Sequence, residues 1–432
     1  MRIQQVCSLF AMTSMVLGSV VFVSTTSAQN VGFNTASGDW NNAANWTGGT
    51  VPGVANGQVY IGRDPADAAA PGSAAVANVT INGAPANNTI GELLIGVGSG
   101  FAGSLDGTLN HSTGSLTSNG WTIFGADAVA GQTNTGTYNL SGTADFTSVD
   151  QFHLGVGGGP MGGDNIGTFT VADSASLTTN AGFNIGSNDN NTGMVIQTGG
   201  TVTANSWISL GNSAGADGLY DISGGQLIHN SDWISVGDNF GGAGNTTGTM
   251  IVSGTASIDA TVGNGIIVGR NDGAIGALDI IGDSASIVTN NFYVGVNDAG
   301  VDTTATGSLS FVAAVAGVTE VDVMGATILG NDTSLAVDLT NYANFGSIGN
   351  GTTILNEFVL IDNFTGVSTG IFTGLAEGSA ISIGGGKTGI LSYVGGADGL
   401  DVTVTVFAVP EPGSAIVLTL VAAGFATRRR RK

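Results

Sequence analysis

The sequence predicts an all-β chain wound as a right-handed parallel β-solenoid, and three observations lead there. An apolar residue followed by glycine recurs at Ile95-Gly96, Phe124-Gly125, Leu154-Gly155, Ile185-Gly186, Leu210-Gly211, Val236-Gly237, Val268-Gly269, Val294-Gly295 and Leu329-Gly330. Successive glycines lie 29, 30, 31, 25, 26, 32, 26 and 35 residues apart, the length of one three-sided turn with variable loops. Around each glycine the apolar residues alternate with period two, as a strand with one buried face requires.

Each repeat divides into three strands. The closing strand points Phe152 and Leu154, Phe183 and Ile185, Ile208 and Leu210, Ile234 and Val236 inward, while His153, Asn184, Ser209 and Ser235 between them are expected to face solvent. An earlier strand alternates after its own glycine, as in Tyr138 and Leu140, Phe169 and Val171, Tyr220 and Ile222. There Gln197 takes the place of an apolar residue, which predicts a polar group in the core or a register shift. A weaker third strand carries Phe146, Leu177, Val202, Leu227, Ile258 and Ile287. No such coil buries its inner face alone, so stability comes from stacking. A β-propeller is disfavoured because its blades need about 40 residues or more.

The expected organisation is a signal peptide over 1–28, an N-terminal cap over 29–90, repeats over 91–330, a C-terminal β cap or extension over 331–408, and a terminal segment over 409–432. Residues 1–28 combine Arg2, an apolar run and the small-residue site Thr26-Ser27-Ala28, which reads as an export signal. The only cysteine, Cys7, falls within it, so the exported chain is expected to lack disulfides and thiolate chemistry.

Of nine basic residues, only Arg63, Arg270 and Lys387 lie between the two ends, against 30 acidic residues, a net charge near −27. Such a body repels nucleic acid and acidic polysaccharides. No cofactor is expected. Turn acids Asp189, Asp217, Asp238, Asp272 and Asp298 would align as a column about 4.8 Å apart, with weak Ca2+ binding as the consequence. Histidines His111, His153 and His229 share no metal-ligand spacing and read as exposed residues, and no catalytic constellation emerges. Trp207 and Trp233 each precede their closing glycine by four residues, as does Trp121. Trp207 and Trp233 are therefore expected at the outer corner, either stacked on the surface as a platform for the flat face of a sugar or as a ladder that simply covers a coil edge.

The terminal segment runs Val409-Pro410-Glu411-Pro412-Gly413, then an apolar stretch ending at residue 427, then Arg428, Arg429, Arg430, Arg431 and Lys432. It resembles the PEP-CTERM sorting signal. That resemblance implies Pro410, Glu411 and Pro412 as the motif read by an exosortase-like sorting protease, a short transmembrane helix over 414–427, and Arg428 to Arg431 as the cytoplasmic stop. The arrangement of a short apolar span before a basic tail agrees with a stop-transfer sequence. The body is similar to the repeat-rich, autotransporter-like surface proteins of planctomycetes, on Gly38-Asp39-Trp40, Asn45-Trp46 and the glycine-rich stretch from Phe372 to Gly399.

The resemblance implies an exported protein of the cell surface, outer membrane or extracellular matrix, structural or adhesive, with an inner-membrane anchor before processing and polysaccharide as partner. Two alternatives stand beside it. A polysaccharide-degrading enzyme on the same scaffold requires carboxylates converging in a groove, and a self-assembling rod requires an open end.

Overall fold

The computed structural model describes residues 29–68, 71–98, 102–157, 162–188, 191–240, 244–366 and 368–409. They form a parallel β-solenoid of about ten turns, with two short 3-10 turns as the helical elements among them. No helix of the described residues is long and apolar enough to cross a membrane, and the segment 414–427 lies outside them.

Three parallel sheets make the faces of the rod. The closing face stacks Gln58–Ile61, Glu92–Val97, Thr122–Ala126, Phe152–Val156, Phe183–Ser187, Ile208–Asn212 and Trp233–Asp238, and continues to Ser368–Thr369. A long face follows, from Ser37–Asp39 through Val76–Ile81 to Thr333–Asp338. The third face places Leu116, Phe146, Leu177, Val202, Leu227, Ile258 and Ile287 in one inward column. Parallel pairing thus reaches beyond 91–330 at both ends, because Val31–Gly32 already pairs with Gln58–Ile61.

Residues in register repeat the same chemistry coil after coil. Phe152 stacks on Phe183 with centroids 4.8 Å apart, Phe124, Phe146 and Phe169 meet Phe152 edge to face, and Tyr138 meets those three in the same way. Such contacts add to the burial of each ring. Outside, Asn78, Asn110 and Asn139 pass hydrogen bonds along the long face, each amide donating to the previous one at 2.8 and 2.9 Å. Thr89, Thr117, Thr147, Thr178 and Thr203 form a column on the third face.

The closing glycines from Gly96 to Gly295 sit at the corner in the left-handed region, with φ of 61° at Gly155 and 73° at Gly186, whereas Gly330 does not. A Cβ on Gly155 would press into the carbonyl oxygen of Thr192 in the next coil. Glycine is therefore required twice, by the dihedral and by the backbone-to-backbone approach.

The polar core positions resolve into pairs. Gln197 is buried, accepts from the Tyr220 hydroxyl at 2.7 Å and donates to the Gln226 carbonyl at 3.0 Å. The register also shifts just after it, so both expectations for that position are met. His111 fills the same column one side of Leu140, with Nδ1 2.8 Å from the Tyr138 hydroxyl and Nε2 3.0 Å from the Thr113 carbonyl.

Both ends of the core are covered. Phe33, Trp40 and Trp46 pack edge to face at the N-terminal end, and the Trp46 indole donates to the Trp40 carbonyl at 2.8 Å. At the other end Ile354–Asn363, Asp401–Phe407, Thr388–Gly395 and Ala380–Ser382 pair antiparallel and bury Phe372, Ile383, Leu391, Val402 and Val404.

One expectation fails along most of the closing face. His153, Asn184, Ser209 and Ser235 are buried rather than open to solvent, as is Ile267 at the same position, while Tyr293 is half-buried. At the N-terminal coils a second small core of Tyr60, Leu94, Val97 and Ala126 lies on this outer side, with Ile123 and Val156 packed against it. Farther along, side chains flanking the strand fold over it: Asn184 accepts from Asn212 at 2.8 Å, and Ser235 accepts from Arg270 at 3.3 Å.

Candidate functional site

All three cations of the body are held internally. Arg270 follows Gly269 and reaches back to Asp238 at 3.2 Å and forward to Asp298 at 2.6 Å, tying successive coils. Burial pushes the Asp238 carboxyl up against the pull of Arg270, whereas the Arg270 hydrogen bond holds Asp298 down. Arg63 is buried over the Tyr60 ring, pairs with Asp67 and donates to the Val97 carbonyl at 3.0 Å. Lys387 donates to the carbonyls of Phe345 and Ile348 at 2.5 and 2.7 Å, capping the 3-10 turn Phe345–Ser347.

The turn acids do not align. Asp272 accepts from the Thr304 backbone at 2.8 Å, Asp217 lies in register between Thr192 and Thr247, and Asp238 and Asp298 are spent on Arg270. Loop lengths differ from coil to coil, so corner residues lose the register that strand residues keep. Asp189 lies outside the described residues.

Carboxylates instead converge at the C-terminal coils. Oxygens of Glu320, Asp322 and Asp362 lie within 4.8 Å of one another, since Asp322 and Asp362 are direct partners on the third face. Asp401 is buried beside them and accepts from the Asn363 backbone at 3.0 Å. Burial pushes all four carboxyls up, and neighbouring acids add to this at Glu320, Asp362 and Asp401. An all-oxygen set suits a hard cation such as Ca2+.

The tryptophans do not form the expected platform. Trp233 is only 4% exposed and packs on Tyr293 at 4.9 Å, and Trp207 is half-buried, its indole over Gly182 and its Nε1 3.4 Å from Asn184 Oδ1. The two rings lean on different neighbours instead of on each other. The open one is Trp121, at 46% exposure, tilted against His153 at 5.6 Å.

The histidines are likewise corrected: His111, His153 and His229 are all buried. Desolvation lowers each to about 4, so all are neutral imidazoles at neutral pH. They sit in different coils and share no ligand geometry. The glycine pattern at the start of the closing strand carries the signal that separates the tryptophans. Gly182 stands one coil before Trp207 and Gly265 one coil after Trp233, whereas Glu92 and Gln151 flank Trp121.

Pro410, Glu411, Pro412 and Arg428 to Arg431 lie outside the described residues. The fold and these sites define an acidic parallel β-solenoid with closed ends and sequestered cations. Comparison with protein-family models, characterised proteins and solved structures returns no match.

Proposed function

We propose that this chain is an exported structural or adhesive protein of the cell surface or extracellular matrix, without enzymatic activity. Its right-handed rod would be sorted by an exosortase-like protease reading Pro410, Glu411 and Pro412, with a transient transmembrane helix over 414–427 and Arg428 to Arg431 as the cytoplasmic stop. The observation that carries the reading is the division of side chains: every cation of the body is tied inside, and the long outer faces present amide and hydroxyl columns. Flat polar faces along a rod capped at both ends suit display and contact with neutral polymers more than self-propagation through strand edges. Polysaccharide is the proposed partner, and weak Ca2+ binding at exposed acids belongs to the same proposal.

The experiment is a glycan and matrix-polysaccharide binding assay on the purified protein, with and without Ca2+, with product release followed in the same wells. Binding without turnover is expected. Turnover would give the enzyme alternative first place, and neither binding nor turnover would reduce the reading to a scaffold. Fractionation of cells carrying Pro410→Ala, Glu411→Ala and Pro412→Ala together tests the sorting step, with retention in the inner membrane expected.

A further inference from the structure

The outer corner where the closing strand begins carries one column along the rod: Gln58, Glu92, Trp121, Gln151, Gly182, Trp207, Trp233 and Gly265. A large ring in this column either lies down on a neighbouring coil or stands in solvent. Trp207 lies over Gly182. Trp233, opposite Gly265, packs on Tyr293. Trp121 has no glycine in register on either side, and its indole leans on His153 while remaining 46% exposed.

The surroundings of Trp121 are those of a recognition site rather than a packing defect. On one side Glu92 lies against Gly120, where a Cβ would come 2.6 Å from its Cγ, and Glu92 Oε2 accepts from Gln58 at 2.8 Å. On the other side His153 Nε2 lies 2.9 Å from Gln151 Oε1, and His153 Nδ1 is buried with no hydrogen-bond partner. That nitrogen is enclosed by protein and the Trp121 ring packs against the imidazole, so the polar groups open to a ligand beside the indole are those of Glu92 and Gln151. A flat apolar ring flanked by a carboxylate and an amide matches a pyranose ring, with its C–H face and rim of hydroxyls.

We infer that Trp121, with Glu92 and Gln151, forms a subsite for one uncharged hexopyranose unit of a polysaccharide laid along this corner. The inference rests on the glycan-binding part of the proposed function and names its site. Trp121 supplies the stacking face, and the two polar side chains take hydroxyls at the rim. Uronates and sulfated sugars are excluded by charge, since Glu92 and Asp150 are close and each cation of the body is already paired or capped internally.

The test uses the purified protein with hydroxyethyl cellulose as the neutral probe and alginate as the anionic one. Binding is read by affinity electrophoresis and by protection of tryptophan fluorescence from iodide. Wild type should bind the neutral polymer and shield its tryptophan from quenching. Trp121→Ala should lose at least about tenfold in affinity and abolish the protection, while Trp121→Phe, Trp207→Ala and Trp233→Ala retain binding. Thermal melts that match the wild type exclude misfolding as the cause of the loss. Equal binding by wild type and Trp121→Ala would overturn the subsite and leave the wider glycan reading standing. Binding of alginate alone would also overturn it, and binding of neither polymer would remove the glycan reading together with the subsite.

Discussion

Replacing His111 and Tyr138 together should make the protein more resistant to mild acid than the wild type. His111 Nε2 faces the Thr113 carbonyl, so that nitrogen carries the proton and Nδ1 accepts from the Tyr138 hydroxyl. A second proton would leave the buried hydroxyl without its acceptor and place a charge in the core. Desolvation accordingly holds the imidazole at about 4, against 6.5 when free. Between those values the unfolded chain binds the proton better, so stability rises with pH. The contribution is complete above about pH 6.5, reduced by about 2 kcal/mol at pH 5, and lost by about 3 kcal/mol below pH 4.

The neighbouring coils show what fits instead, since Ile81 and Leu140 flank His111 in its column and Leu109 and Phe169 flank Tyr138. Removing both partners of a buried hydrogen bond costs little, so His111→Leu with Tyr138→Phe should lie within about 1 kcal/mol of wild type at pH 7.5. At pH 5 it should be more stable by about 2 kcal/mol. Urea midpoints followed by intrinsic fluorescence at fixed salt measure the difference. The comparison with wild type isolates His111 from Asp238, Glu320, Asp322, Asp362 and Asp401, whose raised carboxyls act in the opposite sense and favour the folded chain as pH falls. Parallel loss of stability in the two proteins from pH 7.5 to 5 would refute the argument.

Gly155→Ala should cost about 3 kcal/mol, because it adds a steric clash with the Thr192 carbonyl to the left-handed penalty. Gly131→Ala, at φ 77° with open space around it, should cost only about 1 kcal/mol in the same urea series; equal costs would show that the close approach contributes nothing. Arg270→Met should destabilise by about 3 kcal/mol by leaving Asp238 buried and unpaired. Adding Asp238→Asn should recover most of that loss in a double-mutant cycle, and simple additivity would count against the pairing.

The repeat was legible because an inward position has one environment in every coil. Phe152, Phe183, Ile208 and Ile234 are in register, and their identities vary only among apolar residues. The closing glycines were legible for the same reason, since those from Gly96 to Gly269 bend at a positive φ against a neighbouring carbonyl. Gln197 announced itself as the polar residue in an apolar column, although its partner Tyr220 did not.

What alternation by itself determined was the inner face of each strand, because a period of two distinguishes one side of a strand from the other. It assigns no environment to the second side. Whether His153, Ser209 and Ser235 meet water depends on flanking side chains and loops, and the tertiary structure decided that they do not. The same applies to the tryptophans: Trp121, Trp207 and Trp233 share one sequence phase and differ only in which residue the next coil sets beside them. The acidic cluster of Glu320, Asp322, Asp362 and Asp401 unites residues up to 81 positions apart through parallel and antiparallel pairing at the cap. Sequence therefore settled the repeat, its inward columns and its corners, where local sterics and burial act. The outer environments follow from contacts between coils, which exist only once the rod has stacked.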